Sequence, residues 1–490
     1  MTSPELSYTP LIGMEVHVQL ATRSKMFCRC AVGFGAPPNS LVCPVCLGLP
    51  GALPVINRRA VELAVQMGLA LSCRIAPFTK WDRKSYYYPD LPKNYQISQY
   101  DLPLAAEGTF EFEVGDQIHR VGIIRAHLEE DAGKNLHELP NVTQVDLNRA
   151  GTPLLEIVTR PELHSAEEAY AFCTQLQHLT TYLGIGEGSM QKGQMRFEPN
   201  VNLLIGSDGL SVATPICEIK NLNSFRAVKA AVDHEIRRHL ETYRRDPTYT
   251  RQHRGRENRG WDEDRGQTVF QRGKEEAHDY RYFPDPDLVP VELDPRDIER
   301  LRAALPELPA PRTQRLVREA GLSQREACQI ITDRASADLF DAAVQAGADP
   351  RTLARQFISF WSKLANARGC TVAGLGVEAG RAAELARMTA EGRISASAAA
   401  QLAEAMLQSP AAPADLARAH GLEQVQDRGA LEVYVDQAIA ANPKAVDEVR
   451  ARGKKWEKSL SFLQGQVMRL SGGAASPQLV REILERKFSD

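Results

Sequence analysis

Two absences narrow this chain first: long apolar runs and charge of one sign. No stretch approaches the roughly 20 apolar residues that a membrane-spanning helix needs. The start, Met1-Thr-Ser-Pro-Glu5, is polar and carries no leader-like apolar segment. A cytoplasmic protein with no membrane partner is the expectation. The formal net charge is only -3 over 490 residues, so any nucleic acid must be held by local patches rather than by a global basic field. There is no P-loop: the nearest approach, Gly188-Ser-Met-Gln-Lys-Gly-Gln194, has glutamine where that motif needs lysine. A Gly-x-Ser-x-Gly nucleophile elbow, an internal repeat and a low-complexity tract are also missing. In a cytoplasmic chain the nine cysteines read as metal ligands or buried thiols, not disulfides.

What is present changes character near residue 290. Before it lie short alternating segments, most of the aromatics and all but one of the eleven histidines. After it the chain is rich in Ala, Leu and Arg with helical periodicity. Ser323-x-x-Glu326 is a capping box, and Asn442-Pro443 and Ser476-Pro477 each put an N-cap residue before a proline at the first helical position. Pro284-Asp-Pro-Asp-Leu-Val-Pro290 is the expected hinge, with a softer break at Ser409–Pro413. The expected domains are 1–292, 293–410 and 411–490. The Arg-rich segment 244–265 reads as an exposed loop.

Several strands carry a polar working face. Leu11–Gln19 alternates, with Ile12, Met14, Val16 and Val18 on one side and Glu15, His17 and Gln19 on the other. His127-Leu-Glu-Glu-Asp-Ala-Gly-Lys134 packs three carboxylates against one ammonium. Simple alternation puts Val121, Ile123, His127 and Glu129 on one face, and Ala126, Leu128 and Glu130 on the other. Like charges this close need a cation, a proton or a basic partner. Glu156 sits in the apolar run Leu154–Val158, where an unpaired carboxylate is costly. Arg196, Glu198, Asn200 and Asn202 share a face, as do Glu218 and Lys220, followed by Asn221 and Asn223. Each face alone also fits a solvated sheet. Together they fit one antiparallel sheet, apolar beneath and chemically active above, able to hold a divalent cation and a polyphosphate. Carboxylate and carboxamide ligands favour Mg²⁺, and the implied chemistry is metal-assisted phosphoryl transfer.

Cys28-x-Cys30 and Cys43-x-x-Cys46 supply four thiolates from two tight turns, the donor set of a structural Zn²⁺ site. The other cysteines (Cys73, Cys173, Cys217, Cys328 and Cys370) read as core thiols. Lys80–Lys93 mixes cations with Tyr86, Tyr87 and Tyr88. It suits either a phosphate and nucleobase contact or an aromatic turn packed on the sheet. Arg450–Lys458 reads as a basic helical stretch beside Trp456. Either it is a solvated face, or its Arg452, Lys454, Lys455 and Lys458 follow an RNA backbone.

These residues also carry a resemblance. Ile12-Gly-Met-Glu-Val-His-Val-Gln19, Cys43-Pro-Val-Cys-Leu-Gly-Leu-Pro-Gly-Ala-Leu-Pro54, Asp82-Arg-Lys-Ser-Tyr-Tyr-Tyr-Pro-Asp-Leu-Pro-Lys93 and His127–Lys134 resemble the B subunits of the aspartyl/glutamyl-tRNA amidotransferases. So do Tyr95–Asp101, Glu218–Phe225, Asp279–Asp287 and Phe462–Met468, in the same order over nearly the whole chain. The resemblance implies an α+β fold: an antiparallel β-sheet cradle related to glutamine synthetase, then an all-α helical domain and a small α-helical tail that grips tRNA. It implies ATP- and Mg²⁺-dependent phosphorylation of the side-chain carboxylate of Glu-tRNA(Gln) or Asp-tRNA(Asn). Ammonia from the glutaminase (amidase) A subunit then forms the amide, with a small C subunit completing the assembly. Carried over by motif, Glu15, His17, Glu129 and Glu130 surround Mg²⁺, joined by Glu156. Lys84, Lys220, Asn221, Asn223 and Arg196 are the phosphate and nucleotide candidates. Many relatives have Glu-Glu-Gly-Ser and Arg-Cys-Asp where this chain has Gln191-Lys-Gly-Gln194 and Arg196-Phe-Glu198, so no metal role is carried over to 191–192. Two other readings stay open: a noncatalytic, zinc-containing tRNA-binding scaffold, and a free-standing ligase acting on a small carboxylate.

Overall fold

The computed structural model describes residues 6–207, 210–274, 280–424, 427–452, 455–471 and 475–489. They divide into two compact units, Met1–Ala310 and Pro311–Asp490. The first is built on a ten-stranded sheet. In chain order its strands are β1 (Ser7–Gln19), β2 (Arg74–Ile75), β3 (Ala105–Val114), β4 (Gln117–Glu130), β5 (Pro153–Thr159), β6 (Met195–Ser207), β7 (Leu210–Ala213), β8 (Ile216–Lys220), β9 (Arg256–Asp262) and β10 (Gln267–Lys274). Their spatial order is β10-β9-β8-β6-β1-β5-β4-β3-β2, with β7 beside β6. Helices α1 (Arg58–Ala70), α2 (Ala166–Tyr182) and α3 (Phe225–Arg245) begin at Asn57, Ser165 and Ser224, whose side-chain oxygens accept from the first helical N–H groups. Their apolar faces form one core with Ile12, Met14, Val16 and Val18 of β1, Leu155 and Ile157 of β5, and Phe197 and Val201 of β6. Each such side chain contributes roughly 1.5–3 kcal/mol on burial.

The α+β expectation holds, but the sheet is mixed. β8 and β9 run parallel because the long α3 crossover separates them, whereas hairpins can join only antiparallel neighbours. The expected exposed loop at 244–265 is likewise corrected, since α3 runs to Arg245 and residues 256–262 are strand β9. That strand is possible despite its arginines because Asn258 and Trp261 are buried and Arg259 bonds the side chain and carbonyl of Thr268. Gly108 in β3 lies so close to the turn after α1 that a Cβ there would stand 2.5 Å from the Leu71 carbonyl oxygen. Gly108→Ala is expected to lower stability by about 1–3 kcal/mol, measured by denaturant unfolding.

Pro284–Pro290 is not a free hinge. Phe283–Pro284 pairs with Asp82–Ser85, which in turn pairs with Tyr95–Ser98, making a small three-stranded sheet. Asp285 is buried and accepts from Arg83 at 2.8 Å. Leu301 and its neighbours Ile298, Leu305 and Leu308 join the first core. The proline spacing suggested a flexible link, but an ion pair and an apolar helix hold it down. In the second unit the Ser323 capping box forms with Glu326. Two separate apolar clusters follow, one around Phe340, Trp361 and Leu402 and one around Leu431, Leu463 and Leu484.

Candidate active site and cysteine knuckle

The polar strand faces converge as registers in one sheet. His17 stands opposite Glu156 on β5 and Arg196 on β6; Glu156 in turn faces His127 on β4. Leu154 separates Gln19 from Glu129, and Glu15 lies between Val158 and Glu198. Simple alternation fails on β4. Ile124 is an extra residue there, for Val158 pairs with Arg125 while Thr159 pairs with Ile123. The bulge turns Val121 and Ile123 to the core together with Ala126 and Leu128. It thereby brings Arg125, His127 and Glu129 onto the working face with Glu156.

The result is a buried acid–imidazole cluster. His17 Nε2 lies 3.5 Å from Glu156 and 3.6 Å from Glu129. His127 Nε2 lies 3.6 Å from the same Glu156 oxygen. Ligand atoms of Glu15, His17 and Glu156, and again of His127, Glu129 and Glu156, fall within 4.8 Å of one another. Burial and the neighbouring Glu156 push the Glu15 and Glu129 carboxyls up to about 7. Burial opposes charge on Glu156 too, yet His127, His17 and Lys84 hold its carboxyl well below the usual range. Burial keeps His127 neutral, lowered to about 4. It acts against His17 as well, but the Glu156 hydrogen bond and charge raise that imidazole to about 9. The Nδ1 atoms of His17 and His127 are buried without a partner among the described residues. Carboxylates that resist ionisation side by side, with two imidazoles among them, fit a divalent cation, which would take the place of the protons.

The remaining candidates are distributed around this cluster. Lys84 comes from the small sheet, its Nζ 5.1 Å from the Tyr280 ring centre. Burial disfavours its ammonium, but Glu129 and Glu156 hold it above the usual lysine range. Among the described residues it makes no ion pair. Lys220 is tied to Glu198 (2.5 Å) and Glu218 (2.7 Å). Glu130 is not brought to Glu15 and His17: it points to the core side of β4, pairs with Lys93 and accepts from the Ile97 N–H at 3.0 Å. Asp131, which sequence reasoning passed over, grips Arg196 through both terminal nitrogens (3.0 and 3.1 Å) and accepts from Gln19 at 2.8 Å. The missed signal was that Arg196 on a buried face also needed an anion. Arg196, Asn221 and Asn223 border a cavity of about 670 Å³ with Lys134, Arg149 and Lys192. Asn221 has φ of 64° and donates to the Trp261 carbonyl at 3.1 Å.

The sulfur atoms of Cys28, Cys30, Cys43 and Cys46 lie within 4.8 Å of one another. Those of Cys43 and Cys46 are 3.9 Å apart. Four sulfurs at about 2.3 Å from a tetrahedral metal would sit about 3.8 Å apart, so the knuckle has the spacing of a metal site. Of the expected core thiols, Cys73, Cys173 and Cys217 are buried, but Cys328 is exposed on its short helix. Cys217, Glu235, His239 and Glu257 also converge. There, however, Arg238 bonds both glutamates and Arg259 approaches both, so the charges are already compensated and the cluster locks α3 onto the sheet. The expected basic helix at Arg450–Lys458 is broken. One helix ends at Arg450 and the next begins at Trp456, with Arg452 at φ 47° between them. Lys455 and Lys458 border an open groove of about 640 Å³ beside Lys444 and Phe462. Lys454 lies outside the described residues.

Comparison with known proteins covers nearly the whole sequence. Residues 10–299 match the GatB/GatE catalytic domain and residues 338–488 the GatB domain. The aspartyl/glutamyl-tRNA(Asn/Gln) amidotransferase B subunit of Thermomicrobium roseum is 46% identical over 488 residues, covering 98% of each chain. That of Geobacter sulfurreducens is 45% identical over 488 residues, covering 99% of this chain and 100% of its own. That of Carboxydothermus hydrogenoformans is 43% identical over 486 residues, covering 98% and 99%. No helix among the described residues is long and apolar enough to cross a membrane. With both domains matched in order and identity this high along the whole length, the chain belongs to the GatB/GatE family of amidotransferase B subunits.

Proposed function

We propose that the chain is the amide-forming subunit of a tRNA-dependent amidotransferase, and that its chemistry takes place on the working face of β1, β4 and β5. The observation that carries this reading is the convergence of Glu15, His17, His127, Glu129 and Glu156, with Lys84 beside them. The side-chain carboxylate of Glu on tRNA(Gln), or of Asp on tRNA(Asn), attacks the γ-phosphorus of ATP, and the bond to ADP breaks. Ammonia supplied by the glutaminase A subunit then attacks the acyl carbon. Inorganic phosphate leaves and the amide nitrogen sheds its proton to solvent.

Glu15, His17 and Glu129 would hold Mg²⁺, with Glu156 shared between them, while Glu130 stays with Lys93 on the core side of β4. When bound, that ion neutralises phosphate charge and orients the transferring group. Lys84 would meet the phosphoryl oxygens, where a fixed ammonium in a dry site is worth far more than in water. The cavity bordered by Arg196, Asn221 and Asn223, with Lys220 nearby, would take the nucleotide. The four cysteines would hold a structural Zn²⁺. Arg452, Lys454, Lys455 and Lys458, in the tail 411–490, would follow the tRNA backbone. A small C subunit would complete the cytoplasmic assembly.

The test is reconstitution with the amidase and small subunits, offering Glu-tRNA(Gln) and Asp-tRNA(Asn) separately. The expected result is ATP hydrolysis that depends on one or both mischarged tRNAs, with matching amide formation. Tight tRNA binding without ATP turnover would instead favour a scaffold. Turnover with free glutamate and no tRNA would favour a small-carboxylate ligase.

A further inference from the structure

Lys25 is fully buried, yet among the described residues no carboxylate forms an ion pair with it. Its Nζ donates to the Leu147 carbonyl oxygen at 3.4 Å and to the Cys46 sulfur at 3.6 Å. An ammonium removed from water needs an anion beside it. A carbonyl dipole does not supply one, and neither does a neutral thiol. Four thiolates around one divalent cation do, since they carry a net charge of about -2.

We infer that Lys25 is the built-in counter-cation of the four-cysteine metal site, a positioning residue that holds Cys46 as a bound thiolate and slows loss of the metal. The inference rests on the knuckle being a zinc site. Cys46 is the one buried member of the four, the others being partly open to solvent. At that sulfur water cannot offset the negative charge, and the lysine stands in its place. The main chain at Lys25 is anchored beside the knuckle as well. The Lys25 N–H donates to the Cys30 carbonyl at 3.0 Å, and its own carbonyl accepts from Asn57, the cap of α1, at 3.2 Å.

An N–H donor draws electron density from a thiolate, making it less basic and less nucleophilic. Without Lys25, Cys46 becomes the point at which acid or an electrophile opens the site. The experiment compares full-length wild type with Lys25→Met and Lys25→Arg. It measures zinc content, zinc affinity against a chromophoric chelator, and iodoacetamide labelling mapped by peptide. The wild type is expected to hold about one zinc per chain. Lys25→Met is expected to bind zinc about 10–100-fold more weakly and to be labelled first at Cys46, with Lys25→Arg recovering part of the affinity. With Co²⁺ in place of zinc, the sulfur-to-metal charge-transfer band of Lys25→Met should move to lower energy. If Lys25→Met does not fold, Lys25→Gln, which keeps a donor and drops the charge, tests the counter-charge by the same zinc affinity and labelling. A wild type that binds no zinc overturns the zinc reading together with this one. A zinc-loaded wild type whose neutral variant keeps the same affinity and the same Cys46 labelling overturns the role of Lys25 alone.

Discussion

Glu156→Gln is expected to lower tRNA-dependent amide formation by roughly 10³-fold, about 4 kcal/mol of transition-state stabilisation. It should also lower the unfolding temperature of the metal-free chain. Glu129→Gln is expected to cut activity comparably but to raise that unfolding temperature. The opposite signs follow from the two environments. Glu156 is approached by His17, His127 and Arg125, and its carboxyl is held below the usual range. Its ionised form is therefore stabilised by folding, and an amide forfeits that. Glu129 is raised from 4.5 to about 7 by burial and by Glu156, so folding disfavours its ionised form. The stability of the metal-free chain falls as pH rises through that interval, and the neutral amide removes the penalty above it. One pKa unit corresponds to about 1.4 kcal/mol, so a gain on the order of 3 kcal/mol and a few degrees is expected at pH 8. The measurement is differential scanning calorimetry in chelator, beside single-turnover amidation in Mg²⁺. Equal and same-signed thermal shifts for the two variants would show that the asymmetry of the cluster plays no part.

Much of this site was legible in the chain because β-strand periodicity is local. The alternation of Leu11–Gln19, and of Arg196 through Asn202, named both the apolar floor and the polar working face without reference to any neighbour. Glu156 was legible from cost alone, since a carboxylate inside Leu-Leu-Glu-Ile-Val had to meet a cation, a proton or strong donors, and it meets two imidazoles and an arginine. Three features were not legible, each for a physical reason. The bulge at Ile124 is set by pairing with β5, a partner distant in sequence, and it reverses which face of β4 is buried. Whether Glu130 meets Lys93 or the cluster depends on the small three-stranded sheet, whose members come from three separated segments. Strand β9 was hidden because its arginines are satisfied across space, leaving no apolar pattern to read.

The second large effect is expected at Lys84. Lys84→Met keeps the aliphatic stem and removes the ammonium that offsets Glu129 and Glu156 together. Lys220 cannot substitute, being engaged by Glu198 and Glu218, and Arg196 is gripped by Asp131. The turnover of ATP in the assembled enzyme should therefore fall roughly 10²–10³-fold, the usual loss when one fixed donor to a developing oxyanion is removed. A second consequence separates this role from mere packing. Lys84 is among the groups that pull the Glu129 carboxyl downward. Losing it lets burial and Glu156 push that carboxyl above its present level of about 7, and the acidic limb of the rate profile should move to higher pH by the same cause. Lys84→Arg, which restores the charge, should bring the limb back while recovering only part of the rate, because a planar guanidinium does not reproduce a point charge over the Tyr280 ring. A Lys84→Met enzyme with turnover within threefold of wild type and an unmoved acidic limb would remove Lys84 from the reaction.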